Sequence, residues 1–260
     1  MVDADDAVKL QNALDLITDR AREWQLQISI KKCSVVTVGQ VMFDAKYCID
    51  GCTLPRTMTV CDLGVTTTYD LSSTQHINEI TAKAHRCANC ILRCFVSGDV
   101  DTLIRAFIVY VRPIVECNSI IWSPHLTQDI QQIEKVQRRF AKRLGGLNCL
   151  SYPNRLNRHG LPSLELRRLH LDLIFCYKIV FGLVTVSFSD FFEYNVAAKT
   201  TDRAYKLFKA RCNNNIRRHF FCHRLINVWN ALPSTVNLQS LCTFKRSIKE
   251  IDFAGFLKGF

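Results

Sequence analysis

Two groups of residues have the types and spacing to do chemistry. In the first, Lys135, Arg138, Arg139, Lys142 and Arg143 recur over nine positions beside Phe140 and Leu144. On a helix that spacing sets the cations along the side opposite the apolar residues. Cations so placed can track successive phosphates and give salt-sensitive, sequence-independent binding. The plainer reading is a solvated helix face. Arg167, Arg168 and Arg86 are weaker candidates of the same kind. In the second group, His85, Cys87, Cys90 and Cys94 include the Cys-x-x-Cys step familiar from zinc sites. All three cysteines fall within one expected helix, with no turn to wrap a metal and no second ligand pair. They read as buried helix cysteines, and no metal site is assigned. Spacing assembles no Ser–His–Asp or Cys–His arrangement, and the chain has no Gly-rich phosphate loop.

The elements that must position these groups follow from periodicity. Leu10, Leu14, Ile17, Ala21 and Trp24 recur at helical spacing, with Asp5 and Asp6 leading in at the positive end. Gln27–Ile30, Ser34–Val38 and Cys61–Thr67 are β-prone, and Asp50-Gly51 after Tyr47–Ile49 is a turn signal. From Thr74 on, helices dominate. Ile77, Ile80, Ala84, Ala88, Ile91 and Phe95 form one stripe, and Thr102–Val111 a second helix stopped by Pro113. A third is capped by Thr127 and ended by Gly145-Gly146, and a fourth is capped by Ser163 and runs to Gly182. Residues 199–215 read as a polar, basic linker. Trp229-Asn230-Ala231-Leu232-Pro233 reads as packing followed by a helix stop.

Composition is that of a globular chain: 48% hydrophobic, 22% charged, 260 residues, net charge +11. Residues 1–70 carry a net −3 and residues 71–260 a net +14. A basic lobe of that size suits a polyanion, nucleic acid first. Thirteen cysteines, an odd number, follow an opening with Asp3, Asp5 and Asp6 rather than a secretory leader. The thiols are therefore expected to be reduced and mostly buried in an intracellular protein, nuclear or cytoplasmic. The apolar run Leu173–Phe188, broken by Lys178, falls short of the roughly 18 residues of a membrane span and is expected to be a buried helix.

An ordered set of short motifs resembles the reverse transcriptases of non-LTR (LINE-like) retrotransposons, downstream of the polymerase active site. It comprises Leu10-Gln11, Lys32-Cys33, Leu63-Gly64-Val65, His76-Ile77, Tyr110-Val111-Arg112-Pro113 and Glu116. It continues through Trp122-Ser123-Pro124, Glu134 to Phe140, Leu150-Ser151-Tyr152 with Arg155-Leu156, Arg167-Arg168-Leu169 and Trp229 to Pro233. The resemblance implies a mostly α fold with a small α+β portion. A partial polymerase palm (residues 1–72) is followed by a helical thumb-like bundle (73–198), then a linker and C-terminal helical extension (199–260). It implies RNA and DNA, as a template–primer duplex, as partners, and no membrane. It also implies Mg2+ as the cofactor of the intact parent enzyme, with none in this fragment.

The chain departs from the family at the catalytic centre. A polymerase needs an aromatic-x-Asp-Asp turn whose carboxylates hold the metal ions. Asp3-Ala4-Asp5-Asp6 has Asp3 in the aromatic position, and Leu10-Gln11 follows too soon. Asp5 and Asp6 thus read as the lead-in to the first helix, and as weak catalytic candidates only. Lys32 occupies the place of a general acid for the pyrophosphate leaving group, and without the carboxylates it reads as a solvent-facing lysine. Ser29 stands where the family usually has Asn. The fingers and the earlier palm strand of the parent are expected to be missing, and the fragment to be inactive alone while retaining a template–primer-binding thumb. The alternatives are a non-enzymatic RNA- or DNA-binding module and a degenerate remnant without selected function.

Overall fold

The computed structural model describes residues 4–39, 45–95, 98–145, 149–195 and 205–259. Among the described residues the chain is mostly helical with two small antiparallel sheets, and it divides into two compact units, residues 1–76 and 77–260.

The first unit opens with α1 (Ala4–Glu23), which carries Asp5 and Asp6 in its first turn and Arg20 and Arg22 in its last, complementing the helix dipole. Two hairpins follow: β1 (Cys48–Ile49) with β2 (Cys52–Thr53), and β3 (Thr59–Asp62) with β4 (Val65–Thr68). Both close through two-residue turns with positive φ at each position, Asp50-Gly51 and Leu63-Gly64. These are the turns whose twist matches that of the flanking strands. The Gln11 side chain docks α1 on the first hairpin, donating to the Cys48 carbonyl and accepting from the Cys48 N–H, both at 2.9 Å.

Three segments read as strands in this unit are corrected. Cys61–Thr67 is a hairpin rather than one strand, because the Leu63-Gly64 turn bisects it. Gln27–Ile30 is not a strand: its last residue opens a 3-10 turn over Ile30–Lys32, and of Ser34–Val38 only Val35 bridges, to Arg56. The α1 stripe is largely uncovered, with Leu10, Ile17 and Trp24 exposed, because two two-stranded sheets supply too little area to cover a twenty-residue helix.

In the second unit α2 (Thr74–Cys94), which begins in the first, buries Ile77, Ala84, Ala88 and Ile91, while Phe95, just past its end, is exposed. α3 (Val100–Ala106) is capped by Asp99, which accepts from the Thr102 N–H at 2.9 Å. Pro113 does not stop the helix as expected. Residues Phe107–Val111 widen into a π turn, with the Arg112 N–H bonded to the Phe107 carbonyl, and α4 (Arg112–Glu116) continues with Pro113 in its first turn. The shifted register accommodates a residue that lacks an N–H and would crowd the carbonyl four positions earlier. α5 (Ser119–Trp122) and α6 (Thr127–Lys142) follow. Thr127 makes no capping hydrogen bond and is the first helical residue instead. α6 ends at Lys142, short of Gly145, and Gly146 lies outside the described residues.

α7 (Tyr152–Arg158) leads to α8 (Leu164–Val180), which Ser163 caps as expected through the Leu166 N–H at 3.1 Å. Gly182 follows with φ 63°, the left-handed value that ends a helix. α9 (Phe188–Phe191), α10 (Asn215–His219), α11 (Phe221–Asn230) and α12 (Leu241–Ser247) complete the chain. Leu173, Tyr177 and Ile179 of α8 share one core with Leu225, Trp229 and Phe244 from α11 and α12. Of the segment expected as a linker, residues 199–204 lie outside the described part. Residues 209–214 are irregular and largely exposed, as expected, but residues 205–208 are held fast. Leu207 is buried, its N–H donates to Asn230 Oδ1 at 2.9 Å, and its carbonyl accepts from Asn230 Nδ2 at 2.8 Å. Trp229 Nε1 donates to the Tyr205 carbonyl at 2.9 Å, so the Trp229-Asn230 pair pins this strand-like piece to α11.

The cysteines are free, but only Cys176 and Cys222 are buried. Cys90 and Cys94 are exposed, because they lie off the α2 face that carries Ile77, Ala84, Ala88 and Ile91. Among the described residues, no cluster of three or more His, Cys, Asp or Glu could hold a metal, and no helix is long and apolar enough to cross a membrane.

Candidate nucleic-acid interface

α6 has two faces of opposite character. Ile130, Ile133, Val136, Gln137 and Phe140 are buried, and the Phe140 ring packs on that of Phe107 at 4.6 Å between centroids. The other face, together with α2 and α7, lines an open groove of about 990 Å³. Lys135, Arg138, Arg139 and Lys142 line its cationic half, and Gln128 and Gln131 lie toward the start of α6. Across the groove stand Asn78, Thr81 and His85 of α2. Gln132 ties the walls together by donating to Asn78 Oδ1 at 2.7 Å and to Thr81 Oγ1 at 3.3 Å. The His85 imidazole is held below its ordinary pKa by burial, then by the charges of Arg139 and Lys135. It adds no charge of its own near neutrality.

The remaining sequence candidates fall elsewhere. Arg143 bonds Asn89 of α2 at 2.7 Å and lines an adjoining hollow of about 300 Å³ with His85 and Arg139. Arg86 is exposed, outside the groove lining. Arg167 of α8 grips Glu116 of α4 through Nε and Nη2, the latter at 2.8 Å, and Arg112 Nε approaches the same carboxylate at 3.4 Å. Arg168 is buried at 2% exposure, near Glu134, Glu165, Asp172 and Glu116. Neither presents a free cation to a backbone. The charges alternate with apolar neighbours along α8, and nothing in their spacing shows that the helix is covered on nearly every side. Asp5 and Asp6 are exposed on the first turn of α1, with Asp6 3.7 Å from Lys9, and Lys32 is exposed on the Ile30–Lys32 turn.

Sequence reasoning about chemistry passed over Tyr152 and Arg155, which close one end of the groove. The Tyr152 hydroxyl donates to Glu134 Oε1 at 2.5 Å and accepts from Gln137 Nε2 at 3.2 Å. Glu134 Oε2 in turn accepts from the Leu164 N–H at 3.0 Å and the Glu165 N–H at 3.3 Å, capping α8 from α6. Burial pushes the Glu134 carboxyl above its usual range, against the hydrogen bond from Tyr152 and the charge of Arg168. Burial, then the Glu134 charge, raises the Tyr152 phenol. The only signal for these residues in the sequence was their place in the retrotransposon-like motif set.

Compared with known proteins, the chain matches no family model, no curated protein and no solved structure. Fold and site together define a mostly helical protein with an open, cationic, amide-edged groove.

Proposed function

We propose that the chain derives from a non-LTR retrotransposon reverse transcriptase. On this reading residues 1–72 are a palm remnant and the groove of the second unit is a thumb-like grip on an RNA–DNA template–primer. The observation that carries the binding reading is the convergence of Lys135, Arg138, Arg139 and Lys142 on one groove wall, unpaired with any carboxylate among the described residues. A merely solvated helix would scatter its cations or pair them with acids one turn away. The derivation from a polymerase rests on the ordered motifs alone. The fragment is proposed to lack polymerase activity by itself, since Asp5 and Asp6 sit on the first turn of a helix rather than on a strand turn. Mg2+ belongs to the intact parent on this reading.

The same groove also supports a second reading, a nucleic-acid-binding module without chemistry. Incubating the purified chain with primer–template, Mg2+ and nucleotides tests what the two share. Binding without extension supports both the inactive fragment and the module, and extension of the primer would overturn both. Binding of a labelled RNA–DNA duplex that weakens steeply with salt supports the groove's role. No binding at low salt would remove it.

A further inference from the structure

The closed end of the groove differs from its open wall. The Arg138 guanidinium lies over the Tyr152 ring at 5.0 Å from its centroid, and that of Arg155 lies over the same ring at 5.9 Å. Two like charges thus share one aromatic platform. Arg155 is 6% exposed, and the Nε atoms of both arginines are buried without a hydrogen-bond partner. Among the described residues neither guanidinium is bonded to a carboxylate or a carbonyl. The buried acid that meets Tyr152, Glu134, spends its two oxygens on Tyr152, Leu164 and Glu165. A ring face attracts a cation but cannot satisfy its N–H groups. Burying a guanidinium in that state is costly unless an oxyanion meets it. The platform itself is fixed, because the Tyr152 hydroxyl is held from both sides by Glu134 and Gln137.

We propose that Arg138 and Arg155, stacked on Tyr152, form a preorganised subsite for one phosphate group at the end of the groove. Two planar forks held against one ring match the oxygens of a phosphate in a way that mobile lysines do not. The subsite would fix the register of a polyanion that Lys135, Arg139 and Lys142 attract without positioning. The phosphate can come from a nucleic-acid backbone or from a free phosphorylated molecule. The first source rests on the function proposed above, and the subsite itself does not.

The test uses the full chain in two arms. In the first, a neutral methylphosphonate linkage is walked along each strand of a labelled RNA–DNA primer–template. A fixed subsite predicts one linkage whose neutralisation weakens binding about ten- to hundredfold, with no further loss in Arg155→Met or Arg138→Met. Arg138→Lys keeps the charge but loses the fork and should behave as Arg138→Met. It also supplies a milder variant should Arg155→Met fold poorly. In the second arm, thermal unfolding is followed with tripolyphosphate. Stabilisation of the wild type that is lost in Arg138→Lys supports the subsite. If that occurs while primer–template does not bind, the subsite stands, its ligand is a free phosphorylated molecule, and the nucleic-acid reading falls. Equal small losses at every linkage, together with no tripolyphosphate stabilisation, would overturn the proposal.

Discussion

Glu134 and Leu164, thirty residues apart, are joined by a carboxylate–amide hydrogen bond of 3.0 Å in which the middle of α6 caps the start of α8. A buried carboxylate at a helix N-terminus meets both the unpaired N–H groups and the positive end of the dipole. Glu134→Ala leaves the Tyr152 hydroxyl and two backbone donors without an acceptor, and should cost about 3 kcal/mol. Glu134→Gln keeps an accepting oxygen and should cost clearly less, by urea unfolding at pH 7. Equal losses in the two variants would show that the carboxylate's charge, rather than an accepting oxygen, is what the residue provides.

Charge reversal at the exposed positions Lys135, Arg139 and Lys142 should leave the fold intact, since none of them takes part in the core. Binding of an RNA–DNA duplex should weaken, and the logarithmic salt slope should fall by about one for each phosphate contact removed. A salt titration of the single and triple variants reads both. An unchanged slope in the triple variant would place the contact surface elsewhere.

Asn230→Ala removes both side-chain bonds to the Leu207 backbone and should cost about 2 kcal/mol. The loss should also appear locally. Amide hydrogen exchange at Leu207 should rise more than exchange within α8, since the Asn230 oxygen is the acceptor for that N–H. Uniform acceleration across the unit would mean that the segment opens only with global unfolding.

His170 offers a pH test with a definite sign. Burial, then the charges of Arg167 and Lys249, lowers its pKa from 6.5 to about 4. The folded state therefore binds fewer protons than the unfolded state between these values. The stability contribution of the neutral ring is full above pH 6.5 and is lost as the pH falls toward 4. His170→Leu should flatten that part of the stability–pH curve, read as the difference in urea midpoint from the wild type across pH 4–7. Parallel curves would show that the ring does not titrate differently on folding.

The sequence alone determined what depends on local spacing. The periodic stripe of Ile77, Ala84, Ala88 and Ile91 specified α2, Ser163 announced the cap of α8, and Asp50-Gly51 announced a turn. Each is encoded within a few residues of where it acts. The cationic face of α6 was legible for the same reason, because the apolar residues interleaved with it say which side is covered. Local spacing could not say what covers a helix from outside. Arg167 and Arg168 look as cationic as Arg138 and Arg139 in sequence, yet Glu116 pairs with the first and the helices packed on α8 bury the second. Pro113 reads as a stop until the π turn before it relieves the clash. Tyr152 and Arg155 gain their meaning only when α7 closes the groove against α6. Burial and pairing are properties of the neighbours that distant segments supply, so the tertiary structure alone decided which charges remain to meet a ligand.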